Sequence, residues 1–180
     1  MAKILLCVCG GIAAYKVCAV ASYLKQQQVD VTVAMSEAAQ KLVGPATFQA
    51  LTANPVYTDL WEHPGGKDPQ HIRLAREADL VLVAPATANI VGKLANGIAD
   101  GLIATLLLAA DPKKVMLAPA MNEGMWQHPA MQRNLKFLQE IGIRTIGPAT
   151  GWQACQTVGV GRMSEADEIC REVLAAIGVK

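Results

Sequence analysis

The sequence is short of charge. Asp, Glu, Lys and Arg make up 17% of its 180 residues, where a globular domain ordinarily carries about 25%. The two signs nearly cancel, with 16 basic and 15 acidic residues for a net charge of +1. No Lys/Arg cluster breaks that balance, which excludes the electrostatic footprint of a nucleic-acid binder. Long apolar runs are missing as well. The most apolar stretch, 80–110, is cut by Lys93 and Asp100, so no segment reaches the roughly 18 apolar residues of a membrane span. The first nine residues loosely resemble a signal peptide, but Gly10, Gly11 and Lys16 end the apolar stretch early, and a first strand fits better. The five cysteines, at 7, 9, 18, 155 and 170, are odd in number, form no CxxC and lie in no cluster of zinc-ligand spacing. That argues against a disulfide framework or a metal site and favours reduced thiols in a cytoplasmic setting.

What is present is hydrophobic: 52% of the residues, too many for a disordered chain of so little net charge. A chain of this length can bury roughly 70% of its unfolded surface in one domain without staples. The shortage of charge implies that some apolar surface is given to partners or a ligand.

Short β-branched runs alternate with Ala-rich helical segments, the pattern of a parallel sheet covered on both faces. The runs predict strands at 4–8, 29–35, 56–58, 80–84, 115–118 and 145–146, and helices at 12–24, 37–53, 70–77, 88–109, 129–141 and 164–177. Pro45 and Pro129 suit first turns of helices, Gly142 suits a helix end, and Ser164 with Asp167 resembles a capping box. Segments 61–69 and 149–163 read as long loops, of the kind that carry function. The reading is one α/β domain over 1–180, with a six-stranded parallel sheet.

Three turns carry the chemistry. The first strand runs into Cys9-Gly10-Gly11-Ile12-Ala13-Ala14-Tyr15-Lys16, either a backbone cradle for a phosphate or only a tight turn. It is neither G-x-G-x-x-G nor a P-loop. Ser36, after the second strand, either caps a helix or reaches the same anion. Two further strands open into Pro85-Ala86-Thr87-Ala88-Asn89 and Pro119-Ala120-Met121-Asn122-Glu123-Gly124-Met125-Trp126, each placing an Asn at the carboxyl end of a strand, where open α/β sheets bind ligands.

Together with His71 at the head of His-Ile-x-Leu-Ala-Arg-Glu-Ala-Asp, these segments resemble the homo-oligomeric flavin-containing cysteine decarboxylases over essentially the whole chain. The resemblance implies a Rossmann-like fold and a cradle for flavin mononucleotide (FMN) formed by Gly10, Gly11, Ile12, Ser36, Thr87, Ala88 and Asn89, with Met121 near the ring. It implies Asn122 on the substrate carboxylate, with Met125 and Ala154 beside the substrate. His71 would be the base of the oxidative step, and Cys155, in a flap at 149–163, the proton donor of the final reduction. Ile90 stands where the family has Thr, so that hydroxyl is lost. By composition alone His71 is a solvated cap and Cys155 a small apolar filler. Cys155, however, lies in a Gly-rich loop and the other four cysteines in strands or helices. His63 and His128 read as loop residues, Arg76 as a surface residue and Trp126 as core or interface.

The implied reaction is decarboxylation of 4'-phosphopantothenoylcysteine to 4'-phosphopantetheine in coenzyme A biosynthesis. The alternatives are a peptidyl-cysteine decarboxylase stopping at an ene-thiol, which would not need Cys155, a flavin prenyltransferase, whose motifs fit poorly, and a non-catalytic regulatory flavoprotein. The resemblance further implies a homotrimer or a dodecamer built from trimers, with flavin between subunits. A phosphopantothenoylcysteine synthetase would be fused or separate, and the helical ending at 177–180 is compatible with either.

Overall fold

The computed structural model describes residues 1–61 and 69–179. Six parallel strands, β1 (Lys3–Val8), β2 (Asp30–Met35), β3 (Val56–Tyr57), β4 (Leu80–Ala86), β5 (Val115–Pro119) and β6 (Arg144–Thr145), form one sheet in the order β3-β2-β1-β4-β5-β6. The helices are α1 (Ala14–Gln26), α2 (Glu37–Gln40), α3 (Pro45–Thr52), α4 (Gln70–Glu77), α5 (Ala88–Ala95), α6 (Leu102–Ala109), α7 (Glu123–Gln127), α8 (Pro129–Glu140) and α9 (Ala166–Ala176). Strands buried on both faces need apolar side chains of both parities. In β1, Leu5 and Cys7 enter the core under α4, α5, α6 and α8, while Ile4, Leu6 and Val8 enter the core under α1, α3 and α9. β4 and β5 divide in the same way, Val83 and Leu117 to one side and Leu82 and Ala118 to the other. The strand order reverses between β1 and β4, the switch point at which a Rossmann-like sheet opens a crevice for ligands.

The six expected strands are present, within a residue or two at their ends. Three expectations about the helices are corrected. The helix expected at 37–53 is two, because Gly44 is extended (φ −71°, ψ 143°) and Pro45 restarts the chain as the first residue of α3. The helix expected at 88–109 is also two: it breaks at Asn96, Gly97 lies at φ +66°, and α6 begins only after an extended Gly101. Ser164 does not cap the last helix. Glu165 holds the N-cap position, and Ser164 is buried with its hydroxyl unpartnered.

The segment 149–163, expected as an irregular loop, is an antiparallel hairpin, β7 (Ala149–Trp152) with β8 (Val158–Arg162). Its strands are short and Gly-rich, without the β-branched run that marks the sheet strands. The other expected loop, 61–69, falls at residues 62–68 outside the described residues, and His63 with it. Among the described residues no helix is long and apolar enough to cross a membrane.

Candidate active site

The carboxyl ends of β1, β2, β4 and β5 and the tip of the hairpin surround one cavity of about 1460 Å³. That is larger than the roughly 300–1,000 Å³ of an ordinary ligand pocket, and it leaves room for a cofactor beside a substrate. The turn after β1 contributes Gly10, Gly11 and Ile12, and the turn after β2 contributes Ser36. Thr87, Ala88 and Asn89 come from the start of α5, Met121, Asn122 and Met125 from the end of β5 and α7, and Ala154 and Cys155 from the hairpin. Twelve positions spread from 10 to 155 thus share one wall system. His71 does not join them. It lies in the first turn of α4, away from the cavity lining, and its Nδ1 is buried without a hydrogen-bond partner.

The floor is main chain. A Cβ on Gly10 would stand 2.3 Å from the Cβ of Ala38, so only glycine lets the β1 turn reach α2. Ser36 Oγ caps α2 by accepting the Ala39 N–H at 3.2 Å. Thr87 Oγ1 lies 3.5 Å from the Ile90 N–H at the start of α5, a long contact that leaves the hydroxyl able to serve a ligand. Turn backbone, two hydroxyls and the N-terminal end of α5 suit a phosphate, while Ile12, Met35, Leu60 and Met121 give apolar walls for a flat ring. The residues present therefore fit a phosphorylated flavin. The side chain of Ile90 is only 5% exposed and packs in the core, so position 90 adds no polar contact.

A second part of the lining is polar. Asn122 Oδ1 accepts the Gly124 N–H at 2.8 Å, which fixes the amide so that Nδ2 donates to Cys155 Sγ at 3.3 Å. Thr157 Oγ1 lies 3.0 Å from the same sulfur. The Thr157 hydroxyl first, and then the Asn122 amide, hold the Cys155 thiol below its ordinary pKa. The remaining cysteines go the other way. Burial pushes Cys9 up to about 12, with the Lys93 charge opposing, and Cys170 up to about 12. It also raises Cys7 and, less, Cys18. Cys155 alone is exposed, and thiolate chemistry belongs to it.

Several cavity residues have no motif to announce them. Lys93 Nζ lies 2.8 Å from Asp100 Oδ1 on the rim, and this hydrogen bond is the main cause of the lowered Asp100 pKa. These are the two charges that interrupt the apolar stretch in the sequence, the one signal that could have marked them. Lys16 reaches Glu165 at 3.3 Å, and Arg162 hydrogen-bonds the same carboxylate. Gln153, Trp152 and 58–61 also line the cavity. Arg76 is exposed on α4, Trp126 packs partly buried against the core, and His128 is more than a loop residue, since its Nδ1 accepts the Ala130 N–H at 3.2 Å to cap α8.

The Flavoprotein family profile matches residues 1–178. The chain is 49% identical over 169 residues to the coenzyme A biosynthesis bifunctional protein CoaBC of Bacillus subtilis, covering 94% of this chain but only 41% of that protein. It is 39% identical over 173 residues to a probable phosphopantothenoylcysteine decarboxylase of Streptococcus mutans, covering 95% of this chain and 96% of the relative. Among solved structures, a cysteine-to-serine mutant of PPC decarboxylase complexed with pantothenoylaminoethenethiol superposes with a TM-score of 0.87 at 30% identity, covering 97% of both chains.

Proposed function

The chain belongs to the Flavoprotein family, and from that premise we propose that it decarboxylates 4'-phosphopantothenoylcysteine to 4'-phosphopantetheine with FMN as cofactor, a step of coenzyme A biosynthesis. One observation carries the reading: Asn122 and Cys155, from different elements, meet at 3.3 Å in the lining of the cavity that the Gly10 turn also lines.

The turn after β1, Ser36 and Thr87 to Asn89 would hold the FMN phosphate and its neighbouring groups, with Met121 on the apolar lining beside them. Bound FMN supplies reversible two-electron chemistry, so that the thiol-bearing carbon can be oxidised to a thioaldehyde before carbon dioxide leaves and reduced again afterwards. Asn122 Nδ2, oriented through the Gly124 N–H, binds the substrate carboxylate and directs the carbon–carbon bond that breaks. His71 removes the thiol proton in the oxidative half. Cys155 would give its proton to the carbon that has lost carbon dioxide, completing the reduction whose two electrons bound FMN would supply. A thiol held low by Thr157 and Asn122 transfers that proton readily.

His71 lies outside the cavity of its own chain, so in this reading it serves the cavity of a second copy. Ile12, Tyr15, Trp61 and Trp152 line the cavity yet are exposed in the single chain, an apolar rim of the kind that marks an interface. A homotrimer with the flavin between subunits, or a dodecamer built from such trimers, covers that rim. It also accounts for the shortage of surface charge. All five cysteines are free, which suits a reducing cytoplasm. The synthetase that makes the substrate is either fused to the chain or separate.

The test is a product assay by mass spectrometry on flavin-loaded protein, with phosphopantothenoylcysteine and a Cys-terminated peptide side by side. Carbon dioxide and 4'-phosphopantetheine are expected from the first. A colourless protein that cannot be reconstituted with FMN, or turnover of the peptide alone to an ene-thiol, overturns the reading. His71→Asn should lower turnover by about 10²–10⁴-fold. Mixing that variant with Cys155→Ser should restore activity if each cavity draws on two chains.

A further inference from the structure

Few polar side chains are buried among the described residues, and Gln153, 7% exposed, is one of them. A buried amide must place one oxygen and two N–H groups, and each unmet group costs about 1–3 kcal/mol. Gln153 reaches three separate segments with its oxygen and one of those N–H groups. Its Oε1 accepts the Glu123 N–H at 3.3 Å, at the start of α7 and directly after Asn122. Its Nε2 donates to the carbonyl of Val160 in β8 at 3.0 Å. The same Oε1 accepts from the Cys155 thiol at 3.6 Å. The hairpin turn is fixed to Gln153 through its main chain too, with Gln153 N–H to Thr157 O at 2.8 Å and Gln156 N–H to Gln153 O at 2.9 Å.

The surroundings leave the amide no other place. Gly161, at φ +129°, lies so close that a Cβ there would stand 2.3 Å from Met121 O and 3.1 Å from Gln153 Nε2. The Met121 N–H in turn bonds Gly161 O at 2.9 Å. Glu123 closes the circuit, its Oε1 accepting the Val160 N–H at 3.2 Å. One amide therefore touches the segment that carries Asn122, the strand that carries the flap and the thiol itself.

We propose that Gln153 is a positioning residue that holds the flap against the Asn122 segment, so that the Cys155 thiol stands over the carbon that the substrate carboxylate leaves. The inference rests on the proposed function and assigns Gln153 to its last step alone. Loss of carbon dioxide needs Asn122 and the flavin wall. Saturation of the ene-thiol needs the Cys155 proton delivered in place, with the two electrons that bound FMN would supply. If the flap swings away, the Cys155 proton is not delivered and the ene-thiol leaves unsaturated.

The test measures two products from flavin-loaded protein under single-turnover conditions with phosphopantothenoylcysteine, ene-thiol and saturated aminothiol, by mass spectrometry. Gln153→Leu, which keeps the bulk and removes all three polar contacts, should raise the ratio of ene-thiol to aminothiol by about tenfold or more, the effect of an ångström-scale misplacement. Carbon dioxide release should fall by a smaller factor. Gln153→Glu keeps the acceptor for Glu123 and the thiol but loses the donor to Val160, and should lie between wild type and the leucine variant. If the leucine variant loses its flavin, the glutamate variant carries the test through the same ratio. A wild-type product ratio in a flavin-loaded variant, or equal losses of carbon dioxide and aminothiol, overturns the inference. Wild-type protein that releases no carbon dioxide overturns the proposed function instead.

Discussion

The two walls of the cavity are built in different ways. The wall at the strand ends is main chain on a buried sheet: Gly10 touches Ala38, and the β4 turn enters α5 within one residue of Ala86. The hairpin wall lies outside that sheet and is fastened by side chains, Gln153 and Glu123 from either side, and by the single Met121–Gly161 bond. The first construction imposes one shape and accepts one cofactor. The second brings polar groups, Asn122, Thr157 and Cys155, to a sulfur-sized spacing that one substitution can open. A site that must bind tightly and also exchange substrate for product divides its labour in this manner.

The largest effect should follow from damaging the strand-end wall. Gly10→Val drives a branched side chain into Ala38, where even a Cβ would sit 2.3 Å away. Overpacking of that kind costs about 1–3 kcal/mol, and the shift of the turn should remove the cofactor as well. Flavin absorbance per protein and a urea unfolding curve measure both. A variant that keeps its flavin and its stability would show that the strand-end wall is no stiffer than the hairpin.

Damage to the hairpin should change the product and spare the cofactor. Cys155→Ser is expected to retain the flavin and lower formation of saturated aminothiol by about 10²-fold, within the range of a lost acid, with ene-thiol accumulating. Undiminished aminothiol would remove Cys155 from the reaction. It would also leave the two walls without a difference in role.

The same contrast decided what could be read from the sequence. β1, β4 and β5 have residues of both parities buried, so they appear as unbroken apolar runs ending in Gly10, Pro85 and Pro119, and the turns that follow were legible as a ligand wall. The hairpin strands, ATGW and VGVGR, are short and lack an apolar run, since their glycines make room for Arg162, Glu123 and Met121. Cys155 stood out there by context, but its partner Thr157 did not, because proximity across a turn leaves no pattern in sequence. Nor does periodicity reveal that a helix restarts after Gly44 or Gly101, or that Ser164 turns inward and leaves the N-cap to Glu165. Placing His71 off the cavity required coordinates.

A finer probe of the hairpin is the acidity of its thiol. With Cys155 held below its ordinary value, chiefly by Thr157, iodoacetamide should modify the native protein first at Cys155, with a pH midpoint below that of the same thiol in the unfolded chain. Thr157→Val should move the midpoint upward, and a midpoint that stays put would leave Asn122 as the controlling donor. Cys7, Cys9 and Cys170, buried in the core, should stay unmodified until the protein unfolds.

The smallest effect concerns those buried thiols and tests the stiffness of the strand-end side through pH. Cys9 keeps its proton up to about 12 in the folded protein, whereas in the unfolded chain it loses it near the ordinary value of about 8.5. The folded state therefore binds more protons across that window. Stability contributed by the neutral thiol is fully present below the unfolded pKa and is lost as pH rises from there toward 12. Each such thiol should lower the unfolding free energy by about 1.4 kcal/mol per pH unit once the unfolded form is ionised. Urea midpoints measured from neutral pH to about two units above the unfolded thiol pKa should fall less steeply in Cys9→Ala than in wild type, by up to one proton's slope. Parallel slopes would mean that water reaches Cys9 through the cavity it lines. The strand-end wall would then share the openness of the hairpin.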